Sequence, residues 1–111
     1  AKPDFFLSVH HNSTALTKNV KADWMVSYYC EDWSESYAAN LSAAVNGANG
    51  RPTDGEEWGY YYGTRLGCCP AVLFEVGFIP NPQQYEDCAD WEVICETASG
   101  LAEGLLRSVP G

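Results

Sequence analysis

The feature that most constrains the fold is an apolar segment with one carboxylate in its middle. Residues 71–78 follow Pro70 and read Ala-Val-Leu-Phe-Glu-Val-Gly-Phe, so Glu75 is the only charged residue among them. A continuous apolar run of this length is typical of a strand covered on both faces in a mostly parallel sheet. An ionised carboxylate left unpaired there costs on the order of several kcal/mol, so Glu75 must be paired, protonated or placed at a cleft.

Two interpretations of Glu75 are open from this segment. Burial raises the pKa of a carboxyl group, and a raised pKa suits a general acid or base that works near neutrality. The alternative is a structural ion pair with Arg65 or Arg51.

The segment 4–11 is apolar until its last residues and predicts a second strand covered on both faces. The alternation of a strand places His10 on one face and His11 on the other. A histidine at the C-terminal end of a buried strand lies where open α/β sheets collect ligands, and imidazole is the commonest metal ligand in proteins. The alternative is a hydrogen-bonded histidine in the core or at its rim.

The middle of the chain predicts a mixture of strand, helix and loop. Residues 24–30 are rich in aromatic and β-branched side chains and predict a strand. A helical pattern begins near Asp32 and ends at Gly47. The glycine-rich segment 47–59 predicts a surface loop, and residues 60–65 an edge-like strand.

The C-terminal part predicts two helices. Asn81 followed by Pro82 is typical of the start of a short helix, and a longer helix begins near Asp90. Its apolar residues repeat along one stripe: Trp91, Ile94, Ala98, Leu101 and Leu105. With 111 residues, the chain is expected to form a single α/β domain whose mostly parallel sheet is flanked by helices.

Net charge, hydropathy and cysteine spacing argue against several classes of function. Fifteen acidic residues against six basic ones give a net charge of -9, which disfavours nucleic-acid binding. No apolar run is long enough to span a membrane. The five cysteines lack the paired spacing of a structural zinc site, so we expect free thiols packed as small hydrophobic residues, with a Cys88–Cys95 bridge as the alternative.

Two motifs resemble those of a known enzyme family. Residues 3–13, Pro-Asp-Phe-Phe-Leu-Ser-Val-His-His-Asn-Ser, are similar to the "SiHaN" strand of the zinc-dependent N-acetylmuramoyl-L-alanine amidases. Residues 70–81, Pro-Ala-Val-Leu-Phe-Glu-Val-Gly-Phe-Ile-Pro-Asn, resemble their "ELGF" strand and turn. The resemblance implies that His10 is a Zn²⁺ ligand and Glu75 the catalytic carboxylate. It also implies hydrolysis of the amide between N-acetylmuramic acid and L-alanine in peptidoglycan by a zinc-activated water, outside the cell or in its wall.

The resemblance is incomplete at the metal. Family members also carry a histidine on an earlier strand and a glutamate on the next helix, whereas this chain has only His10 and His11. We therefore expect the chain to be the C-terminal portion of a larger amidase domain that pairs with an N-terminal half or with another copy. Zinc could then be completed across an interface by His11, Glu56 or Glu57, or the chain is an inactive form without the metal.

Two other functions compete with the amidase. A non-catalytic glycan-binding or cell-wall-binding module would use exposed aromatic rings, with Trp58 as the best candidate for a stacking platform. A thiol hydrolase would use Cys68 or Cys69 with a histidine. Phage endolysins and bacterial autolysins share the amidase motifs, so both origins are consistent with the sequence.

Overall fold

The computed structural model describes residues 3–14 and 21–109, which form a four-stranded sheet with helices. The strands are β1 (Phe6–Asn12), β2 (Met25–Tyr29), β3 (Thr53–Trp58) and β4 (Ala71–Phe78). Their order is β1-β4-β2-β3. The β1–β4 and β2–β3 pairs are parallel and the β2–β4 pair is antiparallel, so the predicted mostly parallel α/β sheet is confirmed.

The helices are a short 3₁₀ turn (Asp32–Ser34), α1 (Glu35–Asn49), α2 (Pro82–Asp87) and α3 (Trp91–Ser108). The core joins one face of the sheet to α1 and α3; its buried members are Met25, Ala38, Leu41, Val45, Val72, Phe74, Val76 and Leu101. Because strand residues two apart share a face, α1 and α3 both lie on the face that carries Val72, Phe74 and Val76. We call this the helix face.

The two long helices approach each other closely at glycines of α3. A Cβ added to Gly100 would lie 2.7 Å from Cα of Val45, and one added to Gly104 would lie 2.8 Å from Cα of Leu41. Real Cβ atoms do not reach such distances, so these two positions allow the backbones of α1 and α3 to pack together.

The opposite face of the sheet is covered in part by the turn 59–65. A Cβ added to Gly63 would lie 3.2 Å from Cβ of Ser8 on β1. The ring of Tyr61 packs edge-on against Tyr28 of β2, with centroids 5.2 Å apart. This face, which we call the turn face, therefore has no long helix on it among the described residues.

The first strand is predicted to be covered on both faces, and the described residues of this chain cover it only in part. In the described part of the chain β1 is an edge strand that pairs only with β4. Its Phe6 is 38% exposed and its Val9 50% exposed. An apolar sequence alone does not distinguish a central strand from an edge strand with uncovered faces.

The middle of the chain differs from the prediction in three ways. Helix α1 continues past Gly47 and ends at Gly50, whose positive φ of 70° forms the left-handed C-cap. The predicted loop 47–59 contains β3, which was missed because this edge strand is mostly polar and exposed. The predicted strand 60–65 is a turn held by Thr64, whose hydroxyl donates to the Gly59 carbonyl at 2.6 Å.

The C-terminal predictions are confirmed. The Asn81 side chain caps α2 by accepting from the backbone N–H of Gln83 and Gln84, and Asp90 caps α3 in the same way. The apolar stripe of α3 is buried only toward its C-terminal half, since Trp91 is 75% exposed. None of the helices in the described ranges combines the length and hydropathy needed to cross a membrane.

Candidate active site

His10 and Glu75 lie side by side on the turn face. They are register partners on the parallel strands β1 and β4, so their side chains project to the same side of strands roughly 4.8 Å apart. The two histidines point in opposite directions, as predicted. Nε2 of His10 lies 2.8 Å from Oγ of Ser8, whereas Nε2 of His11 lies 3.1 Å from Sγ of Cys88 on the helix face.

The carboxylate of Glu75 is not satisfied by the surrounding protein. Its Oε2 is buried and has no hydrogen-bond partner among the described residues. Burial raises the pKa of Glu75, and the nearby His10 partly opposes this by lowering it. The predicted ion-pair alternatives are wrong, because Arg51 pairs with Asp87 and Arg65 stacks on two tyrosine rings.

Ser8 is a part of this site that the sequence interpretation missed. Its hydroxyl lies within hydrogen-bond distance of Nε2 of His10, whereas Nδ1 has no hydrogen-bond partner among the described residues. The signal was present in the sequence, because strand alternation places Ser8 and His10 on the same face. A hydrogen bond on one ring nitrogen is the usual way in which proteins orient a metal-binding histidine.

The described residues do not complete a zinc centre around His10 and Glu75. Within residues 3–14 and 21–109, no group of three or more His, Cys, Asp or Glu side chains is placed to hold a metal ion. A catalytic zinc takes three protein ligands, so these residues do not complete a site. His11 cannot join them in this chain because it contacts Cys88 on the other face.

A hydroxyl group also faces this side of the sheet. Tyr28 lies opposite Leu73 of β4 and Glu57 of β3 in the strand register. The pKa of Tyr28 is raised by burial first, then by Tyr61 and by nearby carboxylates that include Glu75. The phenol therefore stays protonated, and it can donate a hydrogen bond beside the candidate site.

The cysteines do not form an alternative active site of the predicted kind. All five are free, but only Cys69 is buried, so the expectation that all five are buried thiols packed as small hydrophobic residues is wrong. Sγ of Cys68 lies 4.0 Å from Sγ of Cys69, and neither thiol contacts a histidine in the described part of the chain. Cys88 and His11 instead border a cavity of about 330 Å³ on the helix face, where burial raises the pKa of the Cys88 thiol.

Solved amidase structures share this fold. The catalytic domain of the amidase CwlV from Bacillus (Paenibacillus) polymyxa var. colistinus has a TM-score of 0.85 and 26% sequence identity, over 96% of this chain and 57% of that chain. An N-acetylmuramoyl-L-alanine amidase from Clostridium difficile 630 has a TM-score of 0.86 and 20% identity, over 94% and 56%. AmiC2 of Nostoc punctiforme has a TM-score of 0.83 and 22% identity, over 94% and 57%.

The chain spans little more than half the length of these structures. No curated protein sequence matches it. The sequence profile of the Amidase_3 family, described as N-acetylmuramoyl-L-alanine amidase, matches residues 1–107. This match extends over both quoted motifs and the elements between them, and we conclude that the chain belongs to the Amidase_3 family of N-acetylmuramoyl-L-alanine amidases.

Proposed function

We propose that this chain supplies the general base and one metal ligand of a peptidoglycan amidase. The reaction is hydrolysis of the amide between N-acetylmuramic acid and L-alanine, outside the cell or in its wall. One observation carries the proposal: in a chain of this family, the buried Oε2 of Glu75 has no protein partner among the described residues and lies beside His10.

The proposed role of Glu75 is proton transfer. Its carboxylate accepts a proton from the attacking water and returns it to the nitrogen of the departing L-alanine. Burial raises the pKa of Glu75, which brings its proton affinity closer to what base catalysis near neutrality requires. No described side chain or backbone group bonds Oε2, so the hydrogen-bonding capacity of this buried oxygen is not used by the described residues.

The proposed cofactor is Zn²⁺, with His10 as one ligand through the nitrogen that Ser8 leaves free. A bound zinc ion would lower the pKa of a water molecule and polarise the amide carbonyl. Since the described residues offer too few ligands for a complete site, the others are expected to come from outside these residues.

We further propose that the outer edge of β1 pairs with the N-terminal half of an amidase domain, with a second copy of this chain as the alternative. Among the described strands β1 is hydrogen-bonded on one side only, and its Phe6 and Val9 are exposed. An unpaired strand edge beside apolar side chains favours association with another strand. The unmatched part of the CwlV domain is large enough for such a half, because this chain covers 57% of it.

Zinc titration with a matched pair of histidine variants tests the metal proposal. With the remaining ligands supplied by an N-terminal half or by a second copy, we expect about one zinc per chain, bound by the wild type and by His11→Ala and lost in His10→Ala, measured by calorimetry and elemental analysis. The two variants delete the same group from neighbouring residues on opposite faces. Equal losses in both variants, or no zinc binding by the wild type, would contradict the proposal. Binding of peptidoglycan without hydrolysis would favour the glycan-binding module instead.

A further inference from the structure

A row of exposed aromatic rings begins at Trp58, the last residue of β3, and continues into the turn that follows. Trp58 is 63% exposed, Tyr60 60% and Tyr62 84%. Together with Arg65 these side chains form a surface that we call the aromatic strip. Large aromatic rings gathered at the surface expose much apolar area to water, and such patches commonly mark binding sites.

The rings of the strip are stacked with one another and with the guanidinium group. The Trp58 and Tyr60 rings are 6.5 Å apart between centroids, at an interplanar angle of 24°. Cζ of Arg65 lies 5.0 Å from the Tyr60 centroid and 4.0 Å from the Tyr62 centroid. The four side chains therefore form a continuous surface.

The turn that presents the strip is held in one conformation. The buried Thr64 hydroxyl donates to the Gly59 carbonyl at 2.6 Å and accepts from the Tyr61 N–H at 2.9 Å. Gly59 is also closely packed, because an added Cβ would lie 2.4 Å from the Tyr61 ring. A fixed turn presents its rings without the entropy cost of ordering them on binding.

The strip adjoins the candidate active site. Tyr62 immediately precedes Gly63, which packs against Ser8, and the Ser8 hydroxyl contacts His10. Tyr61, in the middle of the strip segment, packs against Tyr28 on the same face. A ligand that contacts the Tyr62 end of the strip would therefore lie close to Ser8 and His10.

Arg65 gives the strip a charge opposite to that of the whole chain. The net charge is -9, yet Arg65 has no carboxylate within ion-pair distance in the described ranges. A guanidinium group stacked on rings keeps its N–H edges available, and these edges match a carboxylate in a bidentate geometry. The strip is thus a place where an anionic ligand can approach an acidic protein.

We propose that the aromatic strip binds the glycan–peptide substrate next to the cleavage site. Trp58, Tyr60 and Tyr62 stack on sugar rings, and Arg65 binds a carboxylate of the stem peptide. The inference rests on the proposed function, since it places the substrate of that reaction. Amphipathic aromatic rings suit sugars, which present an apolar face and polar edges.

Two ligands test the sugar stacking and the carboxylate binding of the proposal separately. The protein, carrying Glu75→Gln to prevent cleavage, is titrated with a soluble disaccharide–peptide and with an N-acetylglucosamine oligomer that lacks peptide. We expect Trp58→Ala and Tyr62→Ala to weaken both ligands about 3- to 10-fold. Arg65→Gln should weaken only the peptide-bearing ligand, roughly 10-fold or more, and Arg65→Lys should restore part of that loss.

Trp91→Ala and Arg107→Gln are the matched controls, since both residues are exposed on α3. Thermal unfolding checks that each variant folds. The proposal is overturned if the strip variants bind both ligands as the controls do, or if the protein binds neither ligand. Binding that depends on the strip supports the proposal. If the protein with Glu75 intact and its metal ligands completed still fails to hydrolyse the peptide-bearing ligand, the proposed amidase function alone is rejected.

Discussion

His10 and Glu75 are register partners on parallel strands, and they project together from the face of the sheet that α1 and α3 leave uncovered. This pairing brings the imidazole of His10 next to the carboxylate of Glu75, although 64 residues lie between them in the sequence. The parallel pairing of β1 with β4 therefore positions the candidate active site.

Replacing Glu75 with glutamine should abolish most hydrolysis while substrate binding persists. The amide keeps the shape of the side chain but cannot accept a proton, so we expect a loss of about 10²- to 10⁴-fold in the rate of amide cleavage. The rate is measured as release of L-alanyl stem peptides from soluble muropeptides. Glu86→Gln, which changes an exposed carboxylate on α2, is the control. A Glu75→Gln rate near that of the control would reject Glu75 as the base.

Removing the Ser8 hydroxyl should weaken zinc binding without abolishing it. Ser8 holds Nε2 of His10 at 2.8 Å, and loss of such orienting hydrogen bonds typically reduces metal affinity by about 10- to 100-fold. Titration calorimetry of Ser8→Ala, beside the exposed Ser36→Ala, measures the effect. An affinity unchanged from that of Ser36→Ala would mean that Ser8 does not orient the ligand.

The sequence predicted the strands that are strongly apolar and the helices that have clear caps. β4 agrees with the prediction because its apolar run is buried, and α3 begins where Asp90 caps it. β3 could not be predicted by hydrophobic pattern, since it is polar and its pairing with β2 depends on backbone hydrogen bonds. The end of α1 was placed at Gly47 rather than Gly50 because the two glycines look alike until φ is known.

The candidate site was predicted in part for similar reasons. Strand alternation was enough to separate His10 from His11, and an isolated charge in an apolar run was enough to single out Glu75. The ion pair of Arg51 with Asp87 and the stacking of Arg65 depend on contacts between distant segments, which no local pattern contains.

Stability should depend on pH through Glu75 in the metal-free protein. Burial raises the pKa of Glu75 above its ordinary value of 4.5, so the folded chain binds more protons than the unfolded chain just above that value. The contribution of Glu75 to stability therefore falls as pH rises through this window. Glu75→Gln does not titrate, so it should gain stability relative to the wild type from acidic to neutral pH.

Urea unfolding with a chelator present, measured from about pH 4 to about pH 8, tests this expectation. Glu86→Gln, an exposed change of the same charge, corrects for the general effect of net charge. A stability difference between wild type and Glu75→Gln that stays constant across the range would contradict the pH dependence.

The ion pair between Arg51 and Asp87 should contribute more to stability than the other ion pair of the described chain. Its side chains are 16% and 19% exposed, and Arg51 also donates to the Val76 carbonyl. Asp87→Ala leaves a largely buried cation without its partner, which should cost about 1–3 kcal/mol. Glu103→Ala removes the partner of Arg107 in an exposed pair on α3 and should cost roughly 0.5 kcal/mol or less. If urea unfolding shows equal losses of the free energy of unfolding in the two variants, burial does not determine how much each ion pair contributes to stability.

Replacing each of two glycines with alanine should change the free energy of unfolding in opposite directions. Gly47 lies within α1 with open space around an added Cβ, so Gly47→Ala should stabilise the chain by about 0.5–1 kcal/mol through helix propensity alone. Gly100→Ala gains the same propensity in α3, but its Cβ would meet Cα of Val45 at 2.7 Å and force α1 and α3 apart. We expect this overpacking to destabilise the chain by about 1–3 kcal/mol. Chemical denaturation of the two variants measures both effects, and a stabilised Gly100→Ala would mean that the helices can separate without loss of core packing.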